Sequence, residues 1–68
     1  MNIYDIRAYG SYCEGIAIIA AETTEQAIQL ASEIDSSFDI DYSEPYQINY
    51  IGSTDGEARV MAHFDFGE

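Results

Sequence analysis

Cys13, His63 and the carboxylates are the side chains of this chain that could act as nucleophile, general base or metal ligand, and their spacing decides among those roles. Cys13 is followed by Glu14 in a strongly negative field, which disfavours the reactive thiolate and leaves a bland, partly buried loop thiol. Gly10-Ser-Tyr-Cys-Glu-Gly15 has the glycine spacing of a phosphate loop but lacks the Lys and Ser/Thr that grip phosphate and Mg²⁺, and the helix after it starts too late. His63 and Asp65 lie two residues apart, about 6.6–6.8 Å along a strand. With Asp5 from a neighbouring strand they could offer metal ligands, although a lone His on a mixed sheet face reads more simply as a polar surface group.

Asp35, Asp39, Asp41 and Glu44, extended by Glu33, supply oxygen ligands at short spacing, as Ca²⁺ requires. Counted from Asp35, however, the sixth position is Ile40 where a calcium loop of the EF-hand type needs Gly. Diffuse attraction of cations is the expectation there, not a metal site. No Ser/His/Asp set carries the turn chemistry of a nucleophile elbow. The expectation is a protein that is not an enzyme, with no catalytic residues, no cofactor and no metal.

Composition sets the frame for these side chains. The chain has 68 residues, with thirteen Asp plus Glu against two Arg, for a net charge of -11. This length fits one domain, residues 1–68, and a domain so small buries only about 60% of its unfolded surface, which disfavours a large enclosed active site. The acidic balance argues against direct binding to nucleic acid or an anionic membrane, whose affinities come mainly from Lys and Arg. With 47% apolar and 13% aromatic residues, the composition is that of a folded domain and not of a disordered acidic tail. A single cysteine allows no internal disulfide. Met1–Arg7 lacks a signal-peptide pattern, and the small-apolar run Gly15–Ala21 is too short to cross a bilayer, so a cytoplasmic location is expected.

The elements that must position these groups follow from periodicity. Residues 2–9 alternate, with Tyr4, Ile6 and Ala8 on one face and Ile3, Asp5, Arg7 and Tyr9 on the other. A loop with glycines at both ends leads into the apolar run 16–21, which suits a strand buried on nearly both faces. Thr23-Thr-Glu-Gln26 is a capping box opening a helix over 24–35, with Ala27, Ile28, Leu30, Ala31 and Ile34 as its apolar stripe and a stop at Ser36-Ser37. Phe38, Ile40 and Tyr42 then alternate with acidic residues up to Pro45. Residues 46–51 alternate as a strand, Gly52–Gly56 turns, and residues 57–66 alternate again.

The expected fold is therefore α+β, a two-layer sandwich in ββαββ order. It has a four-stranded, mostly antiparallel sheet with one helix on one face. The expected core is Tyr4, Ile6, Ile18, Leu30, Ile34, Ile48, Val60, Ala62 and Phe64. One helix leaves the second sheet face uncovered, and the alternation assigns Ile3, Asp5, Arg7, Tyr9, Ile51, Arg59, Met61, His63 and Asp65 to it.

Two functions from different classes follow. The first is a small acidic protein-binding module that presents Asp35, Asp39, Asp41 and Glu44 to a basic protein surface, as a nucleic-acid mimic would. The second is a self-associating accessory domain, a homodimer formed through Ile3, Arg7, Tyr9, Ile51, Arg59, Met61 and His63 on the uncovered face.

Overall fold

A computed structural model of the chain describes residues 1–35 and 39–66. The expected helix stop at Ser36-Ser37, the place of Phe38 and the side chain of Phe66 lie outside the described residues. The element order is β1 (Asn2–Tyr9), β2 (Glu14–Ala21), α1 (Thr24–Ser32), β3 (Gln47–Ser53) and β4 (Arg59–Phe66). The four strands form one antiparallel sheet in the order β3-β1-β2-β4, so the expected α+β sandwich is the observed one. The most apolar strand, β2, takes a central place beside β1, while the later, more polar strands become the edges. That arrangement removes the apolar run from water on both sides of its ladder.

The helix starts as its capping box requires. The Thr23 side chain accepts the Gln26 backbone N–H at 3.1 Å. The Gln26 side chain reaches back one residue further than in the standard box and accepts the Glu22 N–H at 2.7 Å. The helix ends at Ser32, short of the expected residue 35. The N–H groups of Glu33 and Ile34 bond the carbonyls of Leu30 and Ala31, so the last turn tightens to three-residue bonds. Ala27 and Ala31 are fully buried, and their small side chains bring the helix close to the sheet.

Beneath the helix lie Tyr4, Ile6 and Ala8 from β1 and Ala17, Ile19 and Ala21 from β2, all buried. Complete burial of Ile6 or Ile19 contributes roughly 1.5–3 kcal/mol each. One short helix does not reach the whole face. The segment 39–46 covers the rest, with Ile40 and Tyr42 pointing inward and buried. It is pinned to the end of β1 by Asp41 N–H donating to the Tyr9 carbonyl at 3.1 Å and Tyr46 N–H to the Arg7 carbonyl at 2.9 Å. Asp39 turns into this segment with φ 54, a left-handed conformation that Asp tolerates better than most residues.

The expected core needs correction on β4 and β2. Ile18 pairs with Asp5 and Ala62, which places it on the helix-free face. A register shift follows between Ile18 and Ile19: Ala62 pairs with Ile18, Val60 pairs with Ile19, and Met61 is the extra residue. One inserted residue reverses the faces of everything beyond it. Ala62 and Phe64 therefore lie on the helix-free face, with Phe64 56% exposed, while His63 and Asp65 turn to the helix side. Val60 stays on the helix side but at its exposed margin. Leu30, Ile34 and Ile48 pack against the core only partly buried. Ile51 is likewise an extra residue at the β1–β3 shift, between Tyr50 and Gly52.

Candidate functional site

The four carboxylates expected to meet a partner are all exposed. Asp39 and Asp41 project from the segment that Ile40 and Tyr42 anchor, because alternation sends the apolar residues inward and these acids out, and the turn after Tyr42 exposes Glu44 as well. Asp41 also accepts the Ser43 N–H at 3.1 Å and its hydroxyl, and the Glu44 N–H donates to the Asp41 carbonyl at 3.3 Å. These acids thus ride on an ordered ledge beside the end of β1. Asp35 sits apart from that ledge, on the rim of a shallow depression of about 370 Å³ lined by Leu30, Glu33, Ile34, Val60 and His63.

Little of the negative charge is neutralised internally. Among the described residues one ion pair forms, between Arg7 Nε and Asp5 at 3.4 Å. It raises the Arg7 pKa, chiefly through the hydrogen bond to Asp5. Arg59 spends its guanidinium on the carbonyls of Glu57 at 2.8 Å and Asp55 at 3.4 Å, clasping the turn instead of a carboxylate. The N-terminal ammonium donates to the Thr54 carbonyl at 2.9 Å.

Next to the acidic ledge is an aromatic pair of which the sequence singles out only Tyr9, and that for self-association. Tyr9 and Tyr46 stack with ring centroids 4.3 Å apart and planes at 18°. The Tyr46 hydroxyl donates to the Glu14 carboxylate at 2.9 Å, and burial followed by this bond pushes the Tyr46 pKa up. Tyr12, at the hairpin tip, is 84% exposed. The available signal was a tyrosine at the end of β1 and another just before β3, with nothing in the sequence to bring them together.

The remaining chemical candidates separate in space. Asp5 lies on the helix-free face and His63 and Asp65 on the other, which overturns their grouping as metal ligands. Among the described residues no three His, Cys, Asp or Glu side chains form a metal-binding group. The Cys13 thiol is pushed up as expected, but burial is the main cause and Asp65 the second, where the sequence pointed to Glu14. Asp65 lies close enough to Tyr42 for its charge to act on the phenol, and among the described residues neither the buried Tyr42 hydroxyl nor Asp65 Oδ1 has a hydrogen-bond partner. Burial, then the charges of Asp65 and Cys13, pushes the Tyr42 pKa up to about 12.

No described helix is long and apolar enough to cross a membrane. Compared with known protein families, curated proteins and solved structures, the chain matches none.

Proposed function

We propose that this chain is a small non-catalytic binding module that presents carboxylates to a basic protein surface, of the kind that otherwise receives nucleic acid. The observation that carries this reading is the unpaired charge. With a net charge of -11 and one ion pair among the described residues, the exposed acids retain their full field. Such a field steers a cationic partner and speeds encounter at low ionic strength. Asp39, Asp41 and Glu44 are the favoured contact because their ledge is anchored at both ends, so they need little ordering on binding. The neighbouring Tyr9–Tyr46 stack adds a face on which an Arg or Lys side chain can lie.

The test is a salt-graded pull-down from cell lysate with the wild type and an Asp39→Asn/Asp41→Asn/Glu44→Gln variant. Asn at position 39 keeps the tolerance for the left-handed backbone there. The expected result is a basic protein retained at low salt, released as salt rises, and lost from the variant. Retention that is indifferent to both salt and the variant would refute the reading.

A further inference from the structure

The helix-free face has a charge balance unlike the rest of the molecule. The strand registers place Arg7, Arg59, Asp5 and Glu14 on it, two charges of each sign. That face is therefore locally neutral, and the net charge of -11 is left to the remainder of the chain. A second copy of so acidic a protein meets strong repulsion from almost every side. This face is where it meets least.

The pattern on the face is also self-complementary. Across the sheet, Gln47, Arg7, Ile16 and Phe64 form one row and Asn49, Asp5, Ile18 and Ala62 form the next. The half on β3 and β1 is polar, and the half on β2 and β4 is apolar. A two-fold axis running across the strands between these rows sets one row over the other. Arg7 then opposes Asp5 of the second copy, Ile16 opposes Ile18, and the large Phe64 opposes the small Ala62. An isologous interface requires this kind of pairing, in which each residue meets a partner and the partner pair repeats in reverse. Stacked sheets interdigitate in the same way. A standard interface takes about 800 Å² from each partner, roughly one-fifth of this molecule's 4189 Å² surface and the share that one broad face of a small body presents.

We propose that the chain forms a two-fold homodimer by stacking this helix-free face on the same face of a second copy, with Phe64, Ile16, Ile18 and Ala62 as its apolar centre. His63, on the other side of the sheet, takes no part. The dimer leaves the carboxylates of Asp39, Asp41 and Glu44 free, with the Tyr9–Tyr46 stack beside Glu14 at the hairpin end of the stacked face, and it stands whether or not those carboxylates bind a partner.

Light scattering and sedimentation of the pure protein test this at low salt and at about 1 M salt, where the screening length falls to about 3 Å. Screening should strengthen the dimer, the opposite of its effect on a basic partner, so the two proposals fail separately. Phe64→Glu should raise the dimer dissociation constant by roughly tenfold or more, whereas Gln29→Glu on the exposed side of α1 should leave it unchanged. A wild type that stays monomeric at high micromolar concentration at both salts would overturn the proposal, as would a dimer indifferent to Phe64→Glu. Should Phe64→Glu fail to fold, isotope-filtered NMR of mixed-label wild type decides the matter. Contacts between Ile16 and Ile18 methyls and between the Phe64 ring and Ala62 across the two copies are expected. Contacts placed on α1 or along the free edges of β3 or β4 would refute it.

Discussion

Gly15 is the position at which a single methyl group tests how the second layer is built. It lies in β2 directly under Tyr42, and an added Cβ would be in hard contact with the Tyr42 hydroxyl oxygen. Its next neighbours would be Tyr42 Cζ at 3.1 Å and Ile40 Cγ2 at 3.2 Å, both tighter than ordinary van der Waals contact. Neither neighbour can yield easily, since Tyr42 is 2% exposed and the segment is tied to β1 on both sides. Overpacking of this kind costs about 1–3 kcal/mol. Replacing a strand glycine returns about 0.5–1 kcal/mol of that.

Gly15→Ala should therefore be net destabilising, by up to about 2.5 kcal/mol, which moves the melting temperature of a domain this size by roughly 4–8 °C per kcal/mol. Urea denaturation of the wild type, Gly15→Ala, Tyr42→Phe and the double variant forms a mutant cycle. Tyr42→Phe removes the nearest atom, so Gly15→Ala should cost less in that background, with a coupling of at least about 0.5 kcal/mol. Strict additivity, or a stabilising Gly15→Ala, would show that Tyr42 does not sit over Gly15 and would refute this packing.

Three further outcomes follow. Because the Tyr42 hydroxyl has a folded pKa of about 12 against an ordinary 10.0, its contribution to stability is complete below pH 10 and is lost as pH climbs toward 12. Alkaline unfolding followed by circular dichroism should show a smaller loss over that window in Tyr42→Phe than in the wild type. Thr23→Ala removes the acceptor for the Gln26 N–H and should cost about 1 kcal/mol of stability in urea; no change would mean that the cap is replaced by another acceptor. With one ion pair to lose among the described residues and a large net negative charge to screen, the denaturation midpoint should rise between low and moderate salt. A midpoint that does not move would count against charge repulsion as a term in stability.

Much of the fold was legible because several signals agreed locally. The alternation of residues 2–9, the apolar run 16–21 and the capping box at Thr23 each predict one element, and those elements form, β1 as expected, β2 from Glu14 and the helix from Thr24 but only to Ser32. The faces of β4 were not legible. Val60, Ala62 and Phe64 alternate as one apolar set, yet the extra residue at Met61 splits them across the sheet. No glycine or turn residue marks that bulge, and a period-2 pattern carries no information about a one-residue slip. The second cover over the sheet was half legible, since Ile40 and Tyr42 alternate with acids in a segment that otherwise reads as a linker. What the sequence lacked was the distance that a nine-residue helix leaves uncovered. Among the partner-facing acids, Asp39 and Asp41 were legible because that same alternation turns them outward, whereas Glu44 shares the parity of Ile40 and Tyr42 and is exposed by the turn that follows them. Asp35 lies beyond the anchored ledge, at the depression by His63.

Steering by an anchored acidic ledge makes association with a basic surface depend on both salt and Asp39, Asp41 and Glu44. The most direct measurement is the association rate with the captured partner as a function of ionic strength, for the wild type and for Asp39→Asn/Asp41→Asn/Glu44→Gln. The predicted result is a wild-type rate that falls steeply with salt and a variant that associates roughly tenfold more slowly at low salt, with the two converging when the field is screened. A rate that is flat in salt, or a variant as fast as the wild type, would contradict the claim.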